Sequence, residues 1–97
     1  MTSKPIIHVL LKNEEENYCA KCCKTRNIIE RIFTAIPEFK QKFEISYEDI
    51  YSEDNVKKFG TLIPPVIILG DHILTEGHVP IMKKLARDLY KSIELGN

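Results

Sequence analysis

Six residues, IIHVLL at positions 6–11, are apolar apart from His8 and lie between Pro5 and the polar stretch Lys12–Asn17. An apolar run this short, bounded by turn and charge signals, reads as a central β-strand around which the rest must assemble. From Cys22 onward the period changes. Ile28, Ile29, Ile32, Phe33 and Ile36 recur at helical spacing until Pro37 stops the pattern. This predicts a helix from about Cys19 or Ala20 to Ile36. Phe43, Ile45 and Tyr47 alternate with polar residues and predict a second strand leading into Asp49, Ile50 and Tyr51.

Ser52 followed by Glu53 and Asp54 has the form of a helix N-cap with acidic residues in the first turn. Val56 and Phe59 continue it as a short helix that Gly60 ends. After Pro64-Pro65, the branched run VIIL predicts a third strand. Gly70-Asp71 is a two-residue hairpin signal, and His72–Leu74 pairs back as a fourth strand. Gly77 and Pro80 introduce a last helix with Ile81, Met82, Leu85, Ala86, Leu89 and Ile93 as its apolar stripe. The order is β-α-β-α-β-β-α. Its alternating first half asks for a parallel strand pair with a helical crossover, and the hairpin adds antiparallel strands. The expected fold is α/β, a four-stranded mixed sheet covered by three helices in one domain over residues 1–97.

Bulk properties narrow the function. Fourteen basic residues balance fourteen acidic ones, so charge offers no reason to expect nucleic acid or a membrane surface as partner. The apolar runs are far too short to span a bilayer. Residues 1–17 lack a small-residue cleavage site and turn acidic after the strand, which makes a poor signal peptide. Three cysteines cannot all pair within one chain, so a disulfide-stapled secreted scaffold is not indicated and a reducing cytoplasm is expected.

All three cysteines fall within "YCAKCCKT", residues 18–25. Cys19 and Cys22, three apart at a helix start, suit a redox couple. The first sits where unpaired backbone N–H groups and the helix dipole favour thiolate. The second lies about one turn on, where it can close a disulfide. Lys21, Lys24 and Arg26 favour the thiolate and Glu14, Glu15 and Glu16 oppose it; a modestly lowered pKa is expected at Cys19. The bland alternative is two incidental cysteines in a core helix. Cys23 points about 100° away from Cys22 around the helix. It reads either as a small apolar residue packed under the sheet or as a third thiol that competes for the disulfide or joins a metal site. A zinc site built on the three thiols is less well supported, since His8, His72 and His78 stand at no familiar ligand spacing. His72 and His78 read as surface residues, and Lys12–Glu16 as a solvated loop. Asp49 is a candidate carboxylate for the buried side of the pair.

"TLIPPVIILGD" is the second informative stretch, because proline is normally excluded from a central strand except at its first residue. Together, "CAKC" after the first strand, "SEDNVKKFG", "PPVIILGDH" and "GHVP" resemble, in order and spacing, the thioredoxin/glutaredoxin superfamily. The nearest likeness is to its small archaeal and bacterial redox-active disulfide proteins. The resemblance runs from Cys19 to about Leu89. It implies a thioredoxin-like fold, a Cys19–Cys22 redox pair and a cis bond before a proline facing them, Pro65 by counting back from the hairpin or else Pro64. It also implies that this segment binds substrate. Three departures stand out. Ala20 replaces the usual proline between the cysteines. Tyr18 replaces a preceding Trp and is the candidate aromatic lid. Pro64, before the cis residue, has no N–H to offer a substrate.

The expected activity is therefore a small thiol–disulfide oxidoreductase with Cys19 and Cys22 catalytic and Tyr18, Pro64 and Pro65 at the substrate. Cys23 is a possible third thiol, and no cofactor or metal is expected. Its partners would be disulfide-containing proteins or small disulfides and an upstream reductase, and the chain would act as a monomer. The alternative is a metal- or sulfur-binding module built on Cys19, Cys22 and Cys23.

Overall fold

The computed structural model describes residues 4–12 and 20–96, with backbone only for residues 95 and 96. Its elements are β1 (Ile6–Leu11), α1 (Ala20–Ala35), α2 (Pro37–Lys42), β2 (Glu44–Asp49), α3 (Glu53–Phe59), β3 (Val66–Leu69), β4 (His72–Glu76) and α4 (Met82–Gly96). The strands form one sheet in the order β2-β1-β3-β4. β1 runs parallel to β2, with Ile6 opposite Glu44 and Leu11 opposite Asp49. It runs antiparallel to β3, with Ile7 opposite Leu69 and Leu10 opposite Val66. β3 and β4 form the expected antiparallel hairpin, with an irregularity in register between Ile67 and Ile68. Gly70 takes φ +61° in the turn, a conformation that glycine adopts without steric cost.

All four β3 residues are buried because helices cover both faces of the sheet. Ile67 and Leu69 join Ile7, Val9 and Leu11 of β1 in the larger core. That core is closed by Ile29, Ile32 and Phe33 of α1, Phe39 of α2, and Leu85 and Leu89 of α4. Val66 and Ile68 point the other way, with Leu10 and Ile50, and are covered by Phe59 and Leu62. Strict alternation along two buried strands thus divides their side chains between the two layers.

The mixed four-stranded sheet is as expected, but there are four helices rather than three. Pro37 ends α1 and opens α2, where its missing N–H costs nothing because the first helical amides have no intrahelical partner. Phe39 then drops into the core at 0% exposure. α3 begins and ends as expected: Ser52 Oγ accepts from the Asn55 N–H at 3.2 Å, and Gly60 caps the C-terminus. Its buried residue is Asn55 rather than Val56, which is exposed. The Asn55 Nδ2 donates to the Asp49 carbonyl at 3.0 Å, so the amide enters the interface with a partner.

His8, the one polar residue of β1, lies on the α3 face with its ring 5.5 Å from that of Phe59. Its Nδ1 is 2.5 Å from Glu48 Oε2 on the neighbouring strand. Burial pushes the Glu48 carboxyl up, but hydrogen bonds from His8, Ser46 and Asn55 and the charge of His8 outweigh it. The net effect holds the group below the ordinary carboxylate range. A depressed folded-state pKa stabilises the fold above the unfolded-state value, about 4.3, and that contribution is lost as pH falls through the folded value. Glu48→Gln should therefore show a shallower loss of stability than the wild type below about pH 4.3. Urea titrations across that range would measure it, and parallel acid limbs would refute the coupling.

Candidate dithiol site

The inner face of α1 carries Cys22, Thr25, Ile29, Ile32 and Phe33. This is the helical repeat that faces the sheet, and it brings Cys22 into the core at 5% exposure. Thr25, fully buried beside it, donates its hydroxyl to the Lys21 carbonyl at 2.7 Å. Lys12, directly after β1, donates its backbone N–H to Cys22 Sγ at 3.4 Å. The sulfur is thus pinned at the end of the sheet where β1 stops.

Cys23 faces outward as an exposed free thiol. This overturns the reading of Cys23 as an apolar residue under the sheet. The physical reason is register: Cys22 lies two turns before Ile29 and takes the inward position, so its neighbour is turned to solvent. Tyr18, Cys19 and residues 13–17 lie outside the described residues.

The Pro64–Pro65 bond is cis, with Pro65 the cis residue. Carrying the β1–β3 register on by one and two positions sets Pro65 level with Leu11 and Pro64 level with Lys12. The proline pair and the Cys22 sulfur therefore share one end of the sheet. Pro65 is buried, and its carbonyl accepts from the Gly77 N–H at 2.9 Å. Gly77 has φ +81°, and a Cβ there would stand 3.4 Å from Ile63 Cγ2. Any other residue would meet backbone strain here, with its Cβ in van der Waals contact with Ile63.

Asp49, at the same end of β2, uses Oδ1 to accept the Tyr51 N–H at 2.9 Å, which spends that oxygen on the turn into α3. Arg26 of α1 lies 4.9 Å from the centre of the Tyr47 ring. Burial, then repulsion from Glu30, raises the Tyr47 hydroxyl pKa against the opposing pull of Arg26. His72 and His78 are exposed, as expected. Among the described residues, no three His, Cys, Asp or Glu side chains gather as a metal ion would require. Among the described residues no helix is long and apolar enough to cross a membrane.

Two polar contacts were not anticipated. One is the His8–Glu48 pair, for which a histidine within an apolar strand was the available signal, since a buried imidazole needs a partner. The other is a hydrogen bond from the Ile63 N–H to Glu76 Oε2 at 3.0 Å, which no local pattern announces.

No protein-family model and no curated protein matches the chain. Solved structures do. Thioredoxin-2, a component of the malaria parasite protein secretion machinery, is similar over 94% of this chain and 85% of its own, at 14% identity and TM-score 0.67. The fold is thioredoxin-like. A second malarial protein matches over 93% of this chain and 97% of its own, at 17% identity and TM-score 0.66. A Staphylococcus aureus protein of unknown function matches over 96% of this chain and 94% of its own, at 15% identity and TM-score 0.60.

Proposed function

We propose that the chain is a thiol–disulfide oxidoreductase, with Cys19 the attacking thiol and Cys22 the resolving one. The observation that carries this reading is the placement of the Cys22 sulfur. It accepts the Lys12 N–H, is buried at the first turn of α1, and lies at the same end of the sheet as Pro64 and Pro65, while Cys23 is exposed. With three cysteines in the chain, Cys19 is the partner this reading assigns. A thioredoxin among the structural neighbours supports the same class of chemistry on this fold.

In the reduced protein the Cys19 thiolate attacks one sulfur of a substrate disulfide, forming a mixed disulfide and releasing the first substrate thiol. The Cys22 thiolate then attacks Cys19 Sγ, which releases the second thiol and leaves the Cys19–Cys22 disulfide. Two electrons pass to the substrate, and an upstream dithiol returns them. The Lys12 N–H aimed at Cys22 Sγ holds that sulfur in place as it becomes the nucleophile. Pro64 and Pro65 form the edge along which the substrate lies.

Insulin-disulfide reduction by the reduced protein tests the assignment. Turnover is expected in the wild type and in Cys23→Ser, and its loss in Cys19→Ser. Equal rates in the wild type and Cys19→Ser would sink the proposal.

A further inference from the structure

The segment before β3 has an unusual supply of hydrogen-bonding groups. Pro64 and Pro65 carry no N–H, so Ile63 holds the last backbone donor before the strand. That donor is already taken: it points into the Glu76 carboxylate, 3.0 Å away at the end of β4. The next residue, Gly77, donates its N–H to the Pro65 carbonyl at 2.9 Å. Two consecutive residues thus hold the two ends of the tripeptide 63–65, one through a carboxylate and one through an amide. A hydrogen bond to an ionised acceptor is the stronger kind, and this one crosses between segments thirteen positions apart. Ile63 is held so that its side chain, 66% exposed, stands out beside the proline pair.

We infer that Glu76 is a positioning residue for the substrate edge of the proposed dithiol site. By holding the Ile63 N–H it fixes residues 63–65 in place and leaves them to offer a partner acceptor oxygens and apolar surface but no donor. The inference rests on the oxidoreductase reading and deepens it. The preferred substrate is a polypeptide disulfide whose flanking backbone supplies the N–H groups. A small disulfide that lays no backbone along this edge is indifferent to Glu76.

The test compares the wild type, Glu76→Ala and Glu76→Gln. Each is assayed for reduction of insulin and of a small aromatic disulfide, with amide hydrogen exchange followed at Ile63. In Glu76→Ala the Ile63 amide should lose protection and KM for insulin should rise about fivefold, with kcat and the small-disulfide KM within about twofold. Glu76→Gln keeps an acceptor oxygen and should restore both protection and KM. An unchanged insulin KM in Glu76→Ala, or equal losses with both substrates, overturns the role of Glu76 while the oxidoreductase reading stands. A wild type that reduces neither substrate faster than Cys19→Ser overturns that reading, and the inference with it.

Discussion

Replacing Phe39 by alanine is expected to remove about 3–5 kcal/mol of unfolding free energy. Phe39 is the largest of the fully buried side chains. Its ring lies 4.9 Å from that of Tyr90, 5.8 Å from Phe33 and 5.9 Å from Phe43, so it touches α4, α1 and the entry to β2 together. α2 has six residues, too few to be stable as an isolated helix, so its position depends on this one anchor. Truncation would leave a void flanked by three aromatic rings on separate segments, and collapse around it would require all of them to shift. Against a total stability of about 5–15 kcal/mol, that is a large share. Urea unfolding should show a lower midpoint with an unchanged slope. A loss below about 1 kcal/mol would mean that the aromatic cluster closes over the gap and does not depend on Phe39.

Cys22→Ser should lower turnover by on the order of a hundredfold and leave substrate trapped on Cys19. A hydroxyl in place of the Cys22 thiol cannot displace the product from a mixed disulfide at neutral pH. The Lys12 N–H would find an oxygen in place of sulfur, so the local fold should survive while the second chemical step fails. Non-reducing electrophoresis after mixing with substrate should show a covalent adduct that dithiothreitol dissolves. Cys23→Ser should show no such adduct and turn over within about twofold of the wild type, since its thiol faces away from the sheet. Wild-type turnover in Cys22→Ser would mean that Cys23 resolves the intermediate, and the assignment of Cys22 would fail.

Much of the fold was legible because its strands and caps carry local signals. IIHVLL and VIIL are strands whose burial on both faces leaves almost no polar residue, and the Ser52 and Gly60 caps need only their own neighbours. α2 is hard to see in the sequence because Pro37 both stops α1 and is favoured as a first helical position. The burial of Asn55 is not legible locally, because it depends on the Asp49 carbonyl that its amide meets across the interface. The inward placement of Cys22 is legible from its helical spacing to Ile29. The outward turn of Cys23 is legible only by counting back from Ile29, which assigns the inward position to Cys22. The Ile63–Glu76 hydrogen bond had no sequence signal, since it arises only when the β3–β4 hairpin brings distant residues together.

The first strand in chain order occupies an inner place in the sheet, with β2 on one side and β3 on the other. On a ribosome, β1 would emerge long before either neighbour, and its β3 side stays open until Val66–Leu69 has left the exit tunnel. Synthesis must therefore run well past Leu69 before the inner strand is enclosed, so nascent chains halted earlier carry an unpaired apolar edge that chaperones would be drawn to.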